Sequence, residues 1–169
     1  MSEAKYGDEF ITHEFDEAIA IQQAIVDGAE KLSTAHSRTQ SKQLIKTALR
    51  DDTRFLKELR RLGRKHDATG KAEGVALALK ELMDETAQSA AEAPSESYEA
   101  HAVLINLKRK QQDSAAAMIK IAREQKDTEL RTAATEFGKA TKASAQELAD
   151  DLALFAVEIA TRHPVGARA

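Results

Sequence analysis

The stretch that decides the fold is Val-Ala-Leu-Ala-Leu-Lys-Glu-Leu-Met-Asp-Glu-Thr-Ala-Gln-Ser-Ala-Ala, residues 75–91, which is followed shortly by Pro94. Its apolar side chains recur at helical spacing, and a helix of about 17 residues is about 25 Å long at 1.5 Å per residue. Such a helix carries the chain back along much of a helical bundle. We therefore expect the helix after Pro94 to start near the end where the helix before residue 75 started, as in bundles with a long crossover connection.

Four longer amphipathic helices flank this segment. In each of them apolar residues recur every three or four positions, which is the spacing of one buried helix face. A capping box that begins at Ser37 and the breakers Gly63, Gly70 and Pro94 mark their ends. The predicted long helices cover residues 8–35, 37–66, 95–124 and 129–163.

These elements predict an all-α fold, a four-helix bundle with a helical crossover between the second and third long helices. The chain is expected to form one domain over residues 8–163. Residues 1–7 and 164–169 are expected to be flexible termini.

The composition excludes several classes of site. The chain has 169 residues and no cysteine, so it has no disulfide, thiolate nucleophile or zinc–thiolate site. It has no Gly-x-Ser-x-Gly motif and no glycine-rich phosphate loop. No apolar stretch approaches the roughly 18 residues of a membrane span, and the N-terminus lacks the apolar region of a signal peptide. We expect a cytoplasmic protein with no membrane partner and no recognisable small-molecule substrate.

The formal net charge of −3 conceals segments of opposite sign. Residues 1–37 contain 8 acidic and 2 basic groups, whereas residues 38–66 contain 10 basic and 3 acidic groups. Neighbouring helices of opposite charge attract one another, although an exposed pair contributes only about 0–1 kcal/mol. The basic residues of the second long helix have acidic partners within the chain, and no aromatic residues are interleaved with them. We therefore expect no nucleic-acid partner.

Three segments of the sequence resemble a known family of helical bundles. They are Asp-Asp-Thr-Arg-Phe-Leu-Lys-Glu-Leu-Arg-Arg-Leu-Gly-Arg-Lys at 51–65, Ala-Thr-Gly-Lys-Ala-Glu-Gly-Val-Ala-Leu at 68–77 and Lys-Asp-Thr-Glu-Leu-Arg-Thr-Ala-Ala at 126–134. Over roughly residues 15–154 the chain is similar to the bacterial ferritin-like bundles of the stress-associated YciF type and their uncharacterised relatives. The resemblance implies a ferritin-like four-helix bundle and an association with stress responses.

The resemblance also raises the question of a metal centre. Many ferritin-like proteins hold two metal ions at mid-bundle with a Glu from two helices and Glu-x-x-His from the other two. No Glu-x-x-His occurs in this sequence, and Asp52-Thr-Arg-Phe55 has a phenylalanine where that motif has its histidine. The apolar stripes lead at mid-bundle to a set of polar residues instead: Gln22, Asp52, Gln111, Thr141 and Ser144. We predict that they form a hydrogen-bonded layer that fixes helix register, without a cofactor.

An alternative keeps a metal at an atypical carboxylate site. A displaced single site for iron or another divalent metal uses Asp52 with Glu17 or Asp113. The five histidines do not favour it, because the topology gathers them at opposite ends of the bundle: His36, His101 and His163 at one end, His13 and His66 at the other. A histidine in the last turn of a helix interacts favourably with the carbonyl-rich terminus, and we expect that role for them.

A second apolar stripe bears on the oligomeric state. Ile19, Val26, Leu44 and Leu56 lie beside the core stripes, where they form either a seam for a homodimer or a wide core stripe covered by the crossover helix. The function predicted for the chain is non-catalytic, a structural or binding module. The alternative is a metal-binding ferritin-like protein, either an iron-handling protein or an oxidase. The sequence favours a protein that is not an enzyme without deciding the point.

Overall fold

The structure is a computed structural model that describes residues 5–162. Within that range it contains no strand and one 3₁₀ turn, Arg64–His66. The helices are α1 (Gly7–Ala35), α2 (Thr39–Gly63), α3 (Gly74–Ser89), α4 (Pro94–Glu124) and α5 (Thr128–Thr161). The prediction of an all-α fold is confirmed, and the predicted helix ends lie within about one turn of the observed ones. Of the segments predicted to be flexible, residues 1–4 and 164–169 lie outside the described part of the chain.

The four long helices form two hairpins, α1 with α2 and α4 with α5, each joined by a short link. The crossover helix α3 packs against α1 and α4 and returns the chain to the end where α2 starts. There the amide of Ser37 donates a hydrogen bond of 2.9 Å to the hydroxyl of Ser97. The start of α4 therefore lies beside the link between α1 and α2, which is the placement that the length of the crossover segment predicts.

The apolar core is divided into two clusters along the bundle. One contains Ile25, Ile45, Leu104 and Leu148, and the other contains Phe15, Leu59, Met118, Leu130 and Phe137. In each long helix the change from one cluster to the other falls near the polar residue that the sequence places at mid-bundle. The hydrophobic burial that stabilises the fold thus lies mainly on the two sides of a polar level.

The start of α2 differs from the prediction. Ser37 does not form the expected capping box, because its amide is bound to Ser97 and the helix starts only at Thr39. The amide of Arg38 instead donates to Nδ1 of His36, at 3.0 Å. An imidazole at the end of α1 thus accepts a free amide at the start of α2.

The residues of the predicted homodimer seam belong to the interior of the chain. Ile19, Val26 and Leu56 are buried, and Leu44 is half-buried against the core. The alternative of a wide core stripe therefore describes these residues, and part of its cover is the loop after α2, which touches Ile19 at Gly70. The homodimer stays a prediction, but these four residues no longer support it.

Gly70 is expected to be required in that loop. Its φ is +80°, and a Cβ atom at this position would lie 2.5 Å from Cγ2 of Ile19. Gly70→Ala is expected to lower the free energy of unfolding by about 2–4 kcal/mol, from left-handed strain and from displacement of Ile19. Gly74→Ala is the matched control in urea unfolding, because its φ is +53° with nothing within 4 Å of the added atom, so only about 1–2 kcal/mol is lost. Equal losses in the two variants would contradict the close packing on Ile19.

Candidate functional site

The centre of the bundle contains a buried pair of opposite charges. Nζ of Lys108 in α4 lies 2.7 Å from each carboxylate oxygen of Asp52 in α2. The exposed fraction is 0 % for Lys108 and 4 % for Asp52. Burial raises the pKa of the Asp52 carboxyl, and the ammonium of Lys108 opposes that rise. The two short contacts offset the cost of removing both charges from water.

Two glutamines extend this pair to α1. The amide nitrogen of Gln22 donates to the backbone carbonyl of Asp52 at 2.9 Å. The amide nitrogen of Gln111 donates to the carbonyl of Ala18 at 2.8 Å and to Oε1 of Gln22 at 3.0 Å. Both glutamines are buried, so these bonds satisfy groups that water cannot reach. The structure thus brings Gln22, Asp52 and Gln111 together in one layer, as the sequence predicts.

The two predicted layer residues on α5 lie across a cavity from this group. Thr141 and Ser144 line a cavity of about 230 Å³ between α2 and α5, and Asp52 lines it from the other side. The Ser144 hydroxyl is buried without a hydrogen-bond partner. Together these residues form the polar layer of the bundle: Gln22, Asp52, Lys108, Gln111, Thr141 and Ser144.

Lys108 is the member of the polar layer that the sequence analysis missed. A lysine in an amphipathic helix is ordinarily assigned to the solvent-exposed face, so residue type alone does not predict Lys108 as a core residue. Its spacing contained the signal, since it lies four residues after the buried Leu104 and three before Gln111. Both neighbours on the same helix face are buried, so the lysine between them is buried too.

The two acidic residues proposed to join Asp52 at a metal site lie outside the polar layer. Glu17 accepts a hydrogen bond of 3.2 Å from Lys110 and lies 3.7 Å from Nε2 of His13. Asp113 is exposed on α4. Neither contributes an oxygen to the polar layer, in which both oxygens of Asp52 already contact Lys108.

A second buried polar cluster lies where α1 joins α2. His36 and His101 are fully buried, and Nε2 of His36 lies 3.3 Å from Nδ1 of His101. Because Nδ1 of His36 accepts the amide of Arg38, a neutral His36 carries its proton on Nε2 and donates it to His101. The proton of His101 is then on Nε2, which faces the carbonyl of Leu148 without completing a hydrogen bond. His163, which was expected to join them, lies outside the described residues.

The charges around these histidines are also buried or paired. Burial is the main cause that lowers the pKa of His36 and of His101 to about 4. His101 adds to the lowering of the pKa at His36 and Arg38 adds to it at both histidines, whereas Asp151 opposes the change. The guanidinium of Arg38 contacts Asp151 and lies 2.9 Å from Glu158, both on α5. The cluster therefore joins the ends of α1, α2, α4 and α5 through two imidazoles that are neutral at pH 7.

One group of side chains in the described part of the chain has the spacing to hold a metal ion. Its ligand atoms lie within 4.8 Å of one another and belong to His13, Glu14 and Glu17. Burial raises the pKa of Glu14, and the nearby charge of Glu17 adds to the rise. Lys110 already pairs with Glu17. His66 lies at the same end of the bundle, as predicted, but its ring stacks on Phe15 and is not part of the group.

The fold and the site define the class of protein as an all-α helical bundle with a buried, ion-paired polar layer. No protein-family model matches the chain, and no curated protein matches it. Among the helices of residues 5–162, none is both long enough and apolar enough to cross a membrane. The function must therefore be inferred from the arrangement of the residues.

Removing one charge of the central ion pair is expected to lower the free energy of unfolding far more than removing both charges. Lys108→Met leaves the Asp52 carboxylate buried alone, and Asp52→Leu leaves the ammonium alone, so each lowers the free energy of unfolding by about 3–5 kcal/mol. The double variant removes both charges and is expected to lie within about 2 kcal/mol of the unaltered protein. Urea unfolding of the four proteins completes the double-mutant cycle. Losses that simply add in the double variant would show that the two charges do not compensate one another.

The histidine cluster is expected to make stability fall in mild acid. The unfolded chain protonates these imidazoles below about pH 6.5, whereas folded His36 and His101 stay neutral down to about pH 4. The free energy of unfolding therefore decreases as the pH falls through that window, by up to about 2.7 kcal/mol per pH unit for the two groups together. Urea unfolding at pH 7 and at pH 5 measures it. His13→Asn, outside the cluster, is expected to keep this slope, and equal stability at the two pH values would refute the assignment.

Proposed function

We propose that this protein is a non-catalytic helical bundle of ferritin-like arrangement that acts as a structural or binding module and uses no metal cofactor. The observation that supports the proposal is the contact of the Lys108 ammonium with both carboxylate oxygens of Asp52. Hard divalent ions are held mainly by carboxylates, which neutralise them. Asp52 is the only carboxylate of the polar layer, and it is already neutralised. The amides and hydroxyls that complete the layer supply no negative charge.

The place for a bound partner in this proposal is the side of the bundle between α2 and α5. On the side of α1 and α4, the glutamines and the ion pair of the polar layer hold the helices together. Between α2 and α5 the same level contains a cavity instead. A partner can bind in such a cavity without a reaction catalysed by the protein. This agrees with a binding module that is not an enzyme.

A metal-binding function is the second candidate, and a different group of residues favours it. The ligand atoms of His13, Glu14 and Glu17 are close enough to meet one ion, with one imidazole and two carboxylates. This group does not include Asp52. In the iron-handling or oxidase alternative, the metal site therefore lies in the N-terminal half of α1. Lys110 would have to leave Glu17 for an ion to bind there.

Three parts of the proposal rest on the sequence alone. The location in the cytoplasm is carried forward as a prediction. The association with stress responses follows from the family resemblance. The homodimer is carried forward as a prediction about the assembled protein.

Metal analysis separates the two candidate functions. Protein produced in medium supplied with iron, manganese and zinc is expected to contain far less than one equivalent of any of them by mass spectrometry. It is also expected to oxidise added Fe(II) no faster than buffer does, because Lys108 occupies both oxygens of Asp52 and Lys110 is paired with Glu17. Bound metal that is lost in His13→Ala and retained in Asp52→Asn would favour the second candidate. Bound metal that is lost in Asp52→Asn and retained in His13→Ala would overturn the proposal.

A further inference from the structure

The last part of α5, residues 149–161, has little apolar attachment to the bundle. Within it only Phe155 is buried, and this residue belongs to neither of the two apolar clusters. Ala149 and Leu152 are partly buried against one cluster. The ring of Phe155 instead lies against His36, with 5.0 Å between the ring centroids. The attachment of this segment therefore depends largely on the groups around His36.

Polar contacts join the same segment to the start of α2. Asp151 accepts a hydrogen bond of 2.6 Å from the hydroxyl of Ser41, and it is paired with the guanidinium of Arg38. The same guanidinium lies 2.9 Å from a carboxylate oxygen of Glu158. The backbone amide of Arg38 in turn donates to Nδ1 of His36. A movement of the His36 ring would therefore disturb both the aromatic and the ionic contacts of α5.

Neither of the two buried imidazoles has a ring nitrogen free to accept a further proton. A neutral His36 accepts the amide of Arg38 at Nδ1 and carries its own proton on Nε2. His101 accepts that proton at Nδ1 and carries its own on Nε2. A proton added to His36 must displace the amide of Arg38, and a proton added to His101 must bring two N–H groups face to face. Protonation of either ring therefore breaks a contact that holds the cluster together.

The charges around the two rings are balanced only while the rings are neutral. Arg38 and Lys42 of α2 are the cations that act on them. Asp151 of α5 acts in the opposite sense, and Glu158 of α5 is paired with Arg38. In the described part of the chain, no charged group of α3 or α4 acts on the rings besides the imidazole of His101 itself. Two protonated imidazoles would therefore add two positive charges that no carboxylate compensates.

We propose that these residues form a pH-sensitive switch that releases the last part of α5 from the bundle in mild acid. When an imidazole accepts a proton, either the amide of Arg38 loses its acceptor or the two rings separate, and the ring contact of Phe155 is lost with them. Both apolar clusters stay packed, because Phe155 belongs to neither. The switch opens one end of a bundle that stays folded, so it differs from a fall in overall stability. It goes beyond the proposed function and does not depend on it.

Spin labels on the full chain test this opening, because the sequence has no cysteine of its own to take a label. One doubly labelled protein carries Gln40→Cys in α2 and Ala160→Cys at the end of α5, both at exposed positions. Pulsed electron resonance is expected to show one main distance at pH 7. At pH 5 we expect a second, longer distance whose share is higher by about tenfold or more, because the opened form binds protons that the closed form excludes. A distribution that is the same at both pH values would overturn the proposal.

A second labelled pair separates local opening from unfolding. Ala116→Cys and Lys139→Cys place labels at exposed positions of α4 and α5, away from the histidines. This pair is expected to keep one distance at pH 7 and at pH 5, because the apolar cluster beneath it stays packed. Broad distances in both pairs at pH 5 would show that acid unfolds the whole bundle, and the switch would be overturned.

His101→Asn connects the opening to the imidazoles. The amide oxygen of asparagine can accept the proton of His36 as Nδ1 of His101 does, but it does not titrate. In this variant the rise of the longer distance at pH 5 is expected to be smaller by about threefold or more. His13→Asn, at the other end of the bundle, is expected to leave the rise unchanged. A rise of full size in His101→Asn would assign the opening to the carboxylates of Asp151 and Glu158 and overturn the role of the histidines.

A measurement on the unsubstituted chain covers the case in which His101→Asn does not fold. The NMR shifts of the ring protons of His36 and His101 are expected to change over the same pH range as the distance between the labels in α2 and α5. Opening that is complete while both rings stay neutral would overturn the role of the histidines.

Discussion

The structure depends on the ion pair of Lys108 and Asp52, because each charge is tolerated at the centre of the bundle only in contact with the other. The pair joins α2 to α4 at the level of the polar layer. Gln22 and Gln111 bring α1 to the same level through hydrogen bonds to backbone carbonyls. The two apolar clusters lie on either side of this level and supply the hydrophobic free energy. Register and stability therefore have different sources in this bundle, the polar layer for the first and the apolar clusters for the second.

The same pair explains why the bundle is open on one side. Asp52 binds the lysine of α4, and at this level α5 contributes the short hydroxyl side chains of Thr141 and Ser144 to the space beside it. Away from the cavity, α2 and α5 are joined by surface ion pairs such as Arg54 with Glu136 and Lys65 with Glu129. The two helices thus lie side by side in antiparallel directions and leave a space between them at mid-bundle. The proposed role as a metal-free module is supported by this one choice of partner for Asp52.

The charge pattern of the sequence predicted intrachain ion pairs, and the structure contains them between different helices. The acidic first helix and the basic second helix were expected to attract each other. The cations of α2 pair instead with α5 or within α2, and Glu17 of α1 pairs with Lys110 of α4. The physical reason is that α1 and α2 meet through their apolar faces, so their charged side chains lie at the flanks and reach the next helix. The sign of a segment's net charge is visible in the sequence, whereas the helix with which that segment forms ion pairs is not.

The sequence by itself determined the helices, their approximate ends and the level of the polar layer, because these depend on local periodicity and on breakers such as Pro94. It placed Gln22, Asp52 and Gln111 in one layer because the apolar stripes of three helices are interrupted there. Only the tertiary structure decided that Lys108 is the partner of Asp52 and that two histidines meet in a buried, neutral pair. Those outcomes depend on which surfaces exclude water, and burial is a property of the packed helices together that no single helix contains.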